Sequence, residues 1–353
     1  MEVNQLSQQQ KDLLQSGIVI PAHPLALNAE RKIDEEKQRR LTCYYIASGA
    51  GGIAVGVHTT QFEIRDPQIN LYETVLQLAS EEIEKAALQG PFLKVAGICG
   101  PTAQAIKEAE LAVKYGYDIG LLSMGGLPDW TEEQILERAK IIADIIPVFG
   151  FYLQPAAGGR VFSYDFWRQF AEIENIEAIK VAAFNRYQTL DVMRAVANSS
   201  RRDSIAMYTG NDDNIIADLL TVYRFTVNGQ LIEKRFSGGL LGHWAVWTKK
   251  AVALLNEIKK YHKNRHANTA DELLSKGIAV TEMNAALFDA ANGFHGCIAG
   301  IHEVLRRQGL LEGRWCLNTE EDLSLGQMEE INRVYKNYPE LTDDDFVKEF
   351  LKS

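Results

Sequence analysis

The sequence has few of the residues that mark disulfide-bonded, zinc-binding and membrane proteins. Its 353 residues include 4 cysteines, scattered without a CxxC pair. Neither a disulfide framework nor a zinc site is therefore predicted. No stretch approaches the roughly 20 apolar residues of a membrane span, and the first residues lack the basic and apolar segments of a signal peptide. We expect a cytoplasmic protein without a membrane partner.

An excess of positive charge is also missing. The formal net charge is -10, and the densest basic stretch, Lys259 to Arg265, lies in a helical pattern typical of a solvated face. Nucleic-acid-binding proteins usually carry a basic stripe that releases the counterions of the phosphate backbone. No nucleic-acid partner is therefore predicted. The 46% of hydrophobic residues, in contrast, is enough for a large core.

Short apolar runs recur along the chain, and a segment of helical period follows each of them. These candidate strands begin near Gly17, Gly51, Leu93, Asp118, Val148, Ile176, Ser204 and Phe236. Asp34 and Thr131 are expected to open two of the helices, and Gly49 to end the first. The alternation is typical of βα units around a parallel sheet. Because no GxGxxG motif follows the first run, we predict an α/β fold, a closed (β/α)8 TIM barrel rather than an open sheet.

Beyond about His243 the alternation stops and only helical patterns follow. They cover residues 245–263, 269–292, 297–308, 323–337 and 343–352, with a loop at 309–318. The first of them is expected to be the eighth barrel helix. We predict an N-terminal extension at 1–16, the barrel at 17–265 and a C-terminal helical region at 266–353 that packs on the barrel.

Lys180 stands in the middle of the apolar run IEAIKVAAF. Burying an ammonium group without a partner costs several kcal/mol, and proteins commonly avoid this cost by lowering the lysine pKa from about 10.4. A neutral amine near the C-terminal end of a barrel strand is a nucleophile at the place where barrel active sites lie. The alternative is a lysine that reaches solvent or pairs with a carboxylate such as Glu177 or Asp212.

Two further groups are candidates for the same site. Tyr152, at an equivalent depth in the preceding strand, has a phenol that can transfer protons to and from a substrate oxygen. Thr59 and Thr60, in the turn HTTQFE after the second strand, have hydroxyls that can relay protons or bind a carboxylate. The alternatives are that Tyr152 belongs to the core and that the threonines only satisfy turn amides.

Taken together, residues 15–310 resemble the dihydrodipicolinate synthase and N-acetylneuraminate lyase family of class I aldolases. Its opening GxxxPxxTP, ID and GxxG segments resemble 17–24, 33–34 and 49–56, and its GTTGE turn resembles HTTQFE. Its YNxP motif resembles Tyr152 to Pro155, and its IK lysine resembles Lys180, 28 residues after Tyr152. Its G(D/N)D turn and its strand-eight glycine segment resemble 210–212 and 238–242.

The resemblance implies a lyase that handles pyruvate or a related 2-oxo acid. Lys180 would form the Schiff base without another cofactor or metal, and Tyr152 would transfer the protons. Thr59 and Thr60 would lie near the substrate carboxylate, Gly210 would contribute its carbonyl, and Arg160 would bind substrate. An aldehyde or sugar acid would be the second substrate, and a homo-oligomer, dimer or tetramer, is expected.

Departures from the family pattern argue against the lysine-pathway synthase itself. Gln61 and Phe62 change the carboxylate-binding turn, Val181 follows the lysine where an acidic residue is common, and LLSMGGLPDW has no tyrosine after strand four. A sugar-acid aldolase is favoured, and a dehydratase using the same imine or a non-catalytic barrel that binds a small acid stays open. A metal-dependent aldolase with His23, His58 and His243 is a weaker alternative.

Overall fold

The computed structural model describes residues 4–264 and 267–352. Its larger sheet has eight parallel strands in the order β1, β10, β7, β6, β5, β4, β3, β2. They are β1 (Val19–Pro21), β2 (Gly52–Val55), β3 (Leu93–Ile98), β4 (Ile119–Ser123), β5 (Val148–Leu153), β6 (Ile176–Ala182), β7 (Ala206–Thr209) and β10 (Phe236–Leu241). A parallel bridge between Ala22 and Ala54 joins the two ends of the sheet. The predicted (β/α)8 barrel is confirmed.

Helices follow the strands and continue after the barrel. They are α1 (Gln8–Ser16), α2 (Glu35–Ser48), α3 (Tyr72–Lys85), α4 (Thr102–Lys114), α5 (Glu132–Ala143), α6 (Tyr164–Phe170), α7 (Arg186–Ala197), α8 (Ile215–Leu220), α9 (Thr248–Asn264), α10 (Ala267–Leu287), α11 (Cys297–Arg307), α12 (Gln327–Asn337) and α13 (Asp344–Phe350). Asp34 and Thr131 accept hydrogen bonds from the first turns of α2 and α5, and Gly49 ends α2 in the left-handed conformation. None of the described helices is long and apolar enough to cross a membrane.

A hairpin between α8 and β10 was not predicted from the sequence. Its strands, β8 (Tyr223–Val227) and β9 (Gln230–Lys234), are antiparallel and lie outside the barrel sheet. The turn consists of Asn228 and Gly229, both at positive φ. Asn-Gly is the strongest short-range signal for such a two-residue turn, so the sequence contained the information.

The N-terminal residues cover one end of the barrel. Leu14 of α1 belongs to the same buried cluster as the inward-facing residues of the strands, and the Tyr208 hydroxyl donates to the Leu14 carbonyl over 2.9 Å. Lys11 forms an ion pair with Glu177, at the start of β6. Helix α1 therefore covers the N-terminal ends of the strands and leaves the C-terminal ends for a site.

The C-terminal helices contact the barrel from its other end. Helix α10 packs against α8 and α12, and the Asn284 amide donates to the Asp212 carbonyl, beyond β7, over 2.7 Å. The segment between α10 and α11 thereby reaches the C-terminal ends of the barrel strands. The predicted boundary between barrel and helical region, at residues 265 and 266, lies outside the described residues.

Candidate active site

A cavity of about 90 Å³ lies at the C-terminal ends of the barrel strands. Its walls come from the ends of β5 and β6, from the turns after β2 and β7, and from the segment that connects α10 to α11. A single water needs roughly 10–15 Å³ measured in this way, so the cavity has room for a small organic molecule. This is the end of the barrel at which TIM-barrel enzymes carry their active sites.

Lys180 points into this cavity from β6. Alternate residues of a strand face opposite sides, and Ala178 and Ala182, on either side of Lys180, both belong to the cluster inside the barrel. The lysine is 9% exposed, and its Nζ lies 4.3 Å from the centre of the Phe151 ring. Burial lowers the Lys180 pKa, and the negative charge of Asp212 only partly opposes this effect. The amine is therefore more readily neutral than that of an exposed lysine.

Asp212 is the carboxylate that faces Lys180 in the cavity. It follows β7, and its Oδ1 accepts a hydrogen bond from the His243 amide over 3.3 Å. Burial raises the Asp212 pKa, while the positive charge of Lys180 acts in the opposite direction. Two buried groups whose pKa values are displaced towards each other are suited to exchange a proton. The alternative partner considered from the sequence, Glu177, pairs with Lys11 at the far end of the strand.

His58 contributes a neutral imidazole to the same cavity. Burial, together with the nearby charge of Lys180, lowers its pKa to about 4. Its ring lies 5.9 Å from the Phe62 ring, centre to centre. A neutral imidazole can donate or accept a proton depending on its tautomer, so His58 is a second group able to move protons beside Lys180.

The two threonines after β2 have different roles in the structure. Thr60 Oγ1 donates to the His23 carbonyl over 2.7 Å and accepts from the amides of Gly56 and Val57. Thr59 Oγ1 is buried and has no hydrogen-bond partner among the described residues, and Thr59 lines the cavity. Thr60 therefore holds the turn together, which is the alternative that the sequence left open, while Thr59 has a hydroxyl free for a ligand.

The first two backbone amides of the turn differ from the amides that follow them. The amides of Thr60 and Gln61 donate to the carbonyls of Val57 and His58. The amides of His58 and Thr59 open this short 3-10 turn, at His58–Thr60, and have no partner within it. Successive amide donors of this kind favour an anion. Together with Thr59 Oγ1 they are suited to hold a carboxylate beside Lys180.

Gly210 is needed for the lysine to fit. A Cβ added at Gly210 would lie 2.5 Å from Lys180 Cε and 2.9 Å from Ala182 Cβ. The Gly210 carbonyl, which was expected to contribute to the site, accepts from the Asp212 amide over 3.1 Å. The residue therefore shapes the site through its missing side chain and through the turn that carries Asp212.

The structure does not bring Tyr152 and Lys180 together. Val148 pairs with Ile176, 28 residues later, but the register shifts and Tyr152 pairs with Val181, 29 residues later. A one-residue shift turns a side chain to the opposite face. Tyr152 accordingly packs outside the barrel, with its ring 4.9 Å from that of Trp167, and Phe151 takes the inward position.

Arg160 does not line the cavity either. Its Nη1 donates to the Trp130 carbonyl over 2.6 Å, and its guanidinium lies 5.2 Å from the centre of the Phe162 ring. The side chain therefore links the loops after β4 and β5. A role for Arg160 in substrate binding remains a prediction from the sequence resemblance.

The three histidines considered as metal ligands have different surroundings. The His23 ring contacts Thr42 Oγ1 at 2.9 Å and the Pro24 carbonyl at 2.8 Å, whereas His243 packs against Trp247. Within residues 4–264 and 267–352, no group of three or more His, Cys, Asp or Glu side chains is placed to hold a metal ion.

Sequence reasoning missed the part of the site that lies after the barrel. Phe288, Phe294, Cys297 and Ile301 line the cavity, although they are more than a hundred residues from Lys180 in the chain. No local motif marks them, because only tertiary packing brings them to the strand ends. The motif at 152–155 indicates Tyr152 and carries no signal for the neighbouring Phe151.

No sequence family model and no curated protein matches the chain. The fold, in contrast, is similar to solved structures. A dihydrodipicolinate synthase from Oceanobacillus iheyensis superimposes with a TM-score of 0.73 at 17% identity, covering 94% of this chain and 99% of the other. An N-acetylneuraminate lyase from Fusobacterium nucleatum in complex with pyruvate gives 0.69 at 16% identity, covering 93% and 99%. The similarity therefore includes most of the C-terminal helical region as well as the barrel.

Proposed function

We propose that the chain is a divergent member of the dihydrodipicolinate synthase and N-acetylneuraminate lyase family, a lyase that forms a Schiff base between Lys180 and pyruvate or a related 2-oxo acid. The observation that carries the proposal is the position of Lys180. It is a buried lysine on the inner face of β6 that lines the cavity at the C-terminal ends of the strands, and burial lowers its pKa. The similar fold of a pyruvate-bound lyase supports the same chemistry.

The first step is imine formation. The neutral Lys180 amine attacks the carbonyl carbon of the oxo acid, and the carbonyl oxygen leaves as water after accepting protons. The free donors at Thr59 would hold the carboxylate during this step. The apolar ring of Phe151 beside Lys180 Nζ keeps water from solvating the ammonium form.

The second step makes or breaks a carbon–carbon bond. Loss of a proton from the carbon next to the imine gives an enamine, which adds to an aldehyde carbon, and the aldehyde oxygen takes up a proton. Water then hydrolyses the imine, which releases a 4-hydroxy-2-oxo acid and restores Lys180. Cleavage is the reverse sequence. A general acid/base must move these protons, and Asp212 and His58 are the groups that the cavity offers.

A barrel that binds a small acid without chemistry is the second candidate. The outward position of Tyr152 favours it, because the proton-transferring phenol implied by the sequence resemblance is not in the cavity. A dehydratase would share the imine with the lyase and differ only in its products.

One experiment separates the catalytic and non-catalytic candidates. The protein is incubated with pyruvate and borohydride, which reduces an imine to a stable amine, and the intact mass is compared with that of Lys180→Ala. We expect a reduced pyruvate adduct on the native chain and none on the variant. Absence of an adduct with pyruvate and with a panel of other 2-oxo acids would exclude the lyase and favour the binding barrel.

A further inference from the structure

Most of the large side chains that line the cavity are apolar. The polar side chains that surround Lys180 are His58, Thr59 and Asp212, with Gln154 at the end of β5. The remaining large side chains are Phe151, Leu153, Phe184, Phe288, Phe294 and Ile301. The polar groups can therefore bind a carboxylate and an imine, whereas these apolar side chains, here called the apolar wall, offer a ligand almost no hydrogen bonds.

The apolar wall is a packed unit rather than a set of isolated side chains. The rings of Phe184 and Phe294 meet edge to face, with their centres 5.9 Å apart. Phe288 lies against Gly242, where an added Cβ would be 3.3 Å from Phe288 Cζ. Phe184 and Phe294 both have positive φ, at 49° and 68°. This conformation is uncommon for bulky residues, so the surrounding packing holds both rings at the cavity.

Charge also limits what this wall accepts. Among the described residues that line the cavity, Lys180 is the sole lysine or arginine, and in the proposed reaction the imine occupies it. A second carboxylate on the substrate would therefore be buried without a cation. A chain of hydroxyl groups would lose its water at the aromatic wall and find few partners there.

From this wall we infer that the second substrate, or the leaving half of a cleaved one, carries an apolar or aromatic group rather than a polyhydroxylated chain. The inference rests on the proposed function, and it names the substrate class of that site. It differs from the sugar-acid substrate that the sequence resemblance favours. The reaction would join pyruvate to an apolar aldehyde and give a 4-hydroxy-2-oxo acid with an apolar tail.

Two aldehydes of equal chain length, butanal and erythrose, test the inference with the full-length enzyme and pyruvate. We expect kcat/KM for butanal to exceed that for erythrose by at least about tenfold, the discrimination typical of an apolar pocket. Equal values or a preference for erythrose would overturn the inference. The borohydride adduct of Lys180 is measured in parallel, so an adduct combined with a preference for erythrose would leave the lyase intact.

If no 2-oxo acid gives an adduct, the proposed lyase function is excluded. The preference of the apolar wall is then tested by ligand binding alone. Butanoate and erythronate have the same chain length and charge, and calorimetric titration gives their Kd values. The inference expects butanoate to bind at least about tenfold more tightly. Tighter binding of erythronate would overturn it independently of the chemistry.

A pair of variants assigns the preference to the wall. Phe294 is half-buried and has positive φ, a conformation that asparagine adopts readily, so Phe294→Asn should fold. We expect this variant to reduce the preference for butanal at least about threefold, and the pyruvate adduct measured in parallel shows whether Lys180 still forms the imine. Leu325→Asn is the matched control because Leu325 is fully exposed and lies outside the cavity. An unchanged preference in Phe294→Asn would contradict the assignment.

Discussion

Phe151, and not its neighbour Tyr152, lies opposite Lys180 in the barrel. Phe151 and Lys180 pair across β5 and β6, and Lys180 Nζ lies 4.3 Å from the centre of the phenylalanine ring. An aromatic face attracts the ammonium ion modestly, but it also displaces the water that would stabilise the charge. Burial lowers the Lys180 pKa in spite of Asp212, which shows that the loss of water dominates. The surroundings of Lys180 therefore favour the neutral form of its amine.

Tyr152→Phe is expected to leave catalysis almost unchanged. The Tyr152 hydroxyl accepts one long hydrogen bond, 3.4 Å from the Phe162 amide, outside the cavity. Its removal should lower kcat by less than about threefold and cost about 1 kcal/mol of stability or less. A residue that moves protons in the reaction would instead contribute about 10²–10⁴ in rate. Steady-state kinetics decide between these values, and a loss above a hundredfold with an intact fold would return Tyr152 to the reaction.

Asp212→Asn is expected to lower turnover and to shift the pH dependence of imine formation. The Asp212 charge raises the Lys180 pKa, so its removal should lower this pKa further and leave more neutral amine at a given pH. As the pH is increased, the rate of borohydride trapping should therefore begin to rise at a lower pH in the variant than in the native protein. Turnover should fall by about 10² or more if Asp212 transfers protons. An unshifted trapping profile would show that the two groups do not interact.

The sequence contains most of the fold because parallel barrel strands are apolar on both faces. The eight runs could be counted directly, and the helix limits at Asp34, Thr131 and Gly49 follow from local capping. The hairpin at 223–234 was not predicted, although Asn228 and Gly229 are a strong signal for its turn. The eight apolar runs already account for a complete barrel without it. Local signals are reliable here when each is considered on its own.

Three of the residues singled out in the sequence, Lys180, Thr59 and Gly210, line the cavity. Lys180 could be found because a charge inside an apolar run is unusual. The side of the sheet that Tyr152 faces could not be predicted. The register shift after Val148 changes which residue of β6 pairs with each later residue of β5. Phe288 and Phe294 join the site through packing between distant segments, which no pattern along the chain encodes.

Gly210→Ala is expected to disturb Lys180 and the neighbouring part of β6. The new Cβ would lie 2.5 Å from Lys180 Cε, so the lysine side chain must move. Overpacking of this kind usually costs about 1–3 kcal/mol, and the rate of imine trapping should fall at least about tenfold. Gly90→Ala is the control, since nothing lies within 4 Å of a Cβ at that position. Equal trapping rates in the two variants would contradict the placement of Lys180.

Acid is expected to destabilise the protein through its buried histidines. His23, His243 and His302 have pKa values lowered to about 4 by burial, compared with about 6.5 in the unfolded chain. The unfolded state therefore binds more protons, and stability falls as the pH decreases from 6.5 towards 4. At pH 5 each histidine should cost about 2 kcal/mol relative to pH 7.

Urea unfolding at several pH values measures this slope. His302→Gln should reduce the number of protons taken up on unfolding near pH 5.5 by about one, because His302 is fully buried and its Nε2 has no partner among the described residues. A slope unchanged by this substitution would show that His302 is protonated in the folded state.

Thr59→Val and Thr60→Val should separate binding from stability. Thr60 Oγ1 bonds to two amides and a carbonyl, so its loss leaves buried groups unpaired and should cost about 1–3 kcal/mol for each group that stays unsatisfied.

Thr59 Oγ1 has no partner among the described residues, so Thr59→Val should retain native stability. A hydrogen bond to a charged group contributes about 1.5–3 kcal/mol, and Thr59→Val should therefore raise the Kd for a carboxylate ligand about tenfold or more. Thermal unfolding and calorimetric titration of both variants give the two quantities. If Thr59→Val bound the carboxylate as tightly as the native protein, the anion would have to lie elsewhere in the cavity.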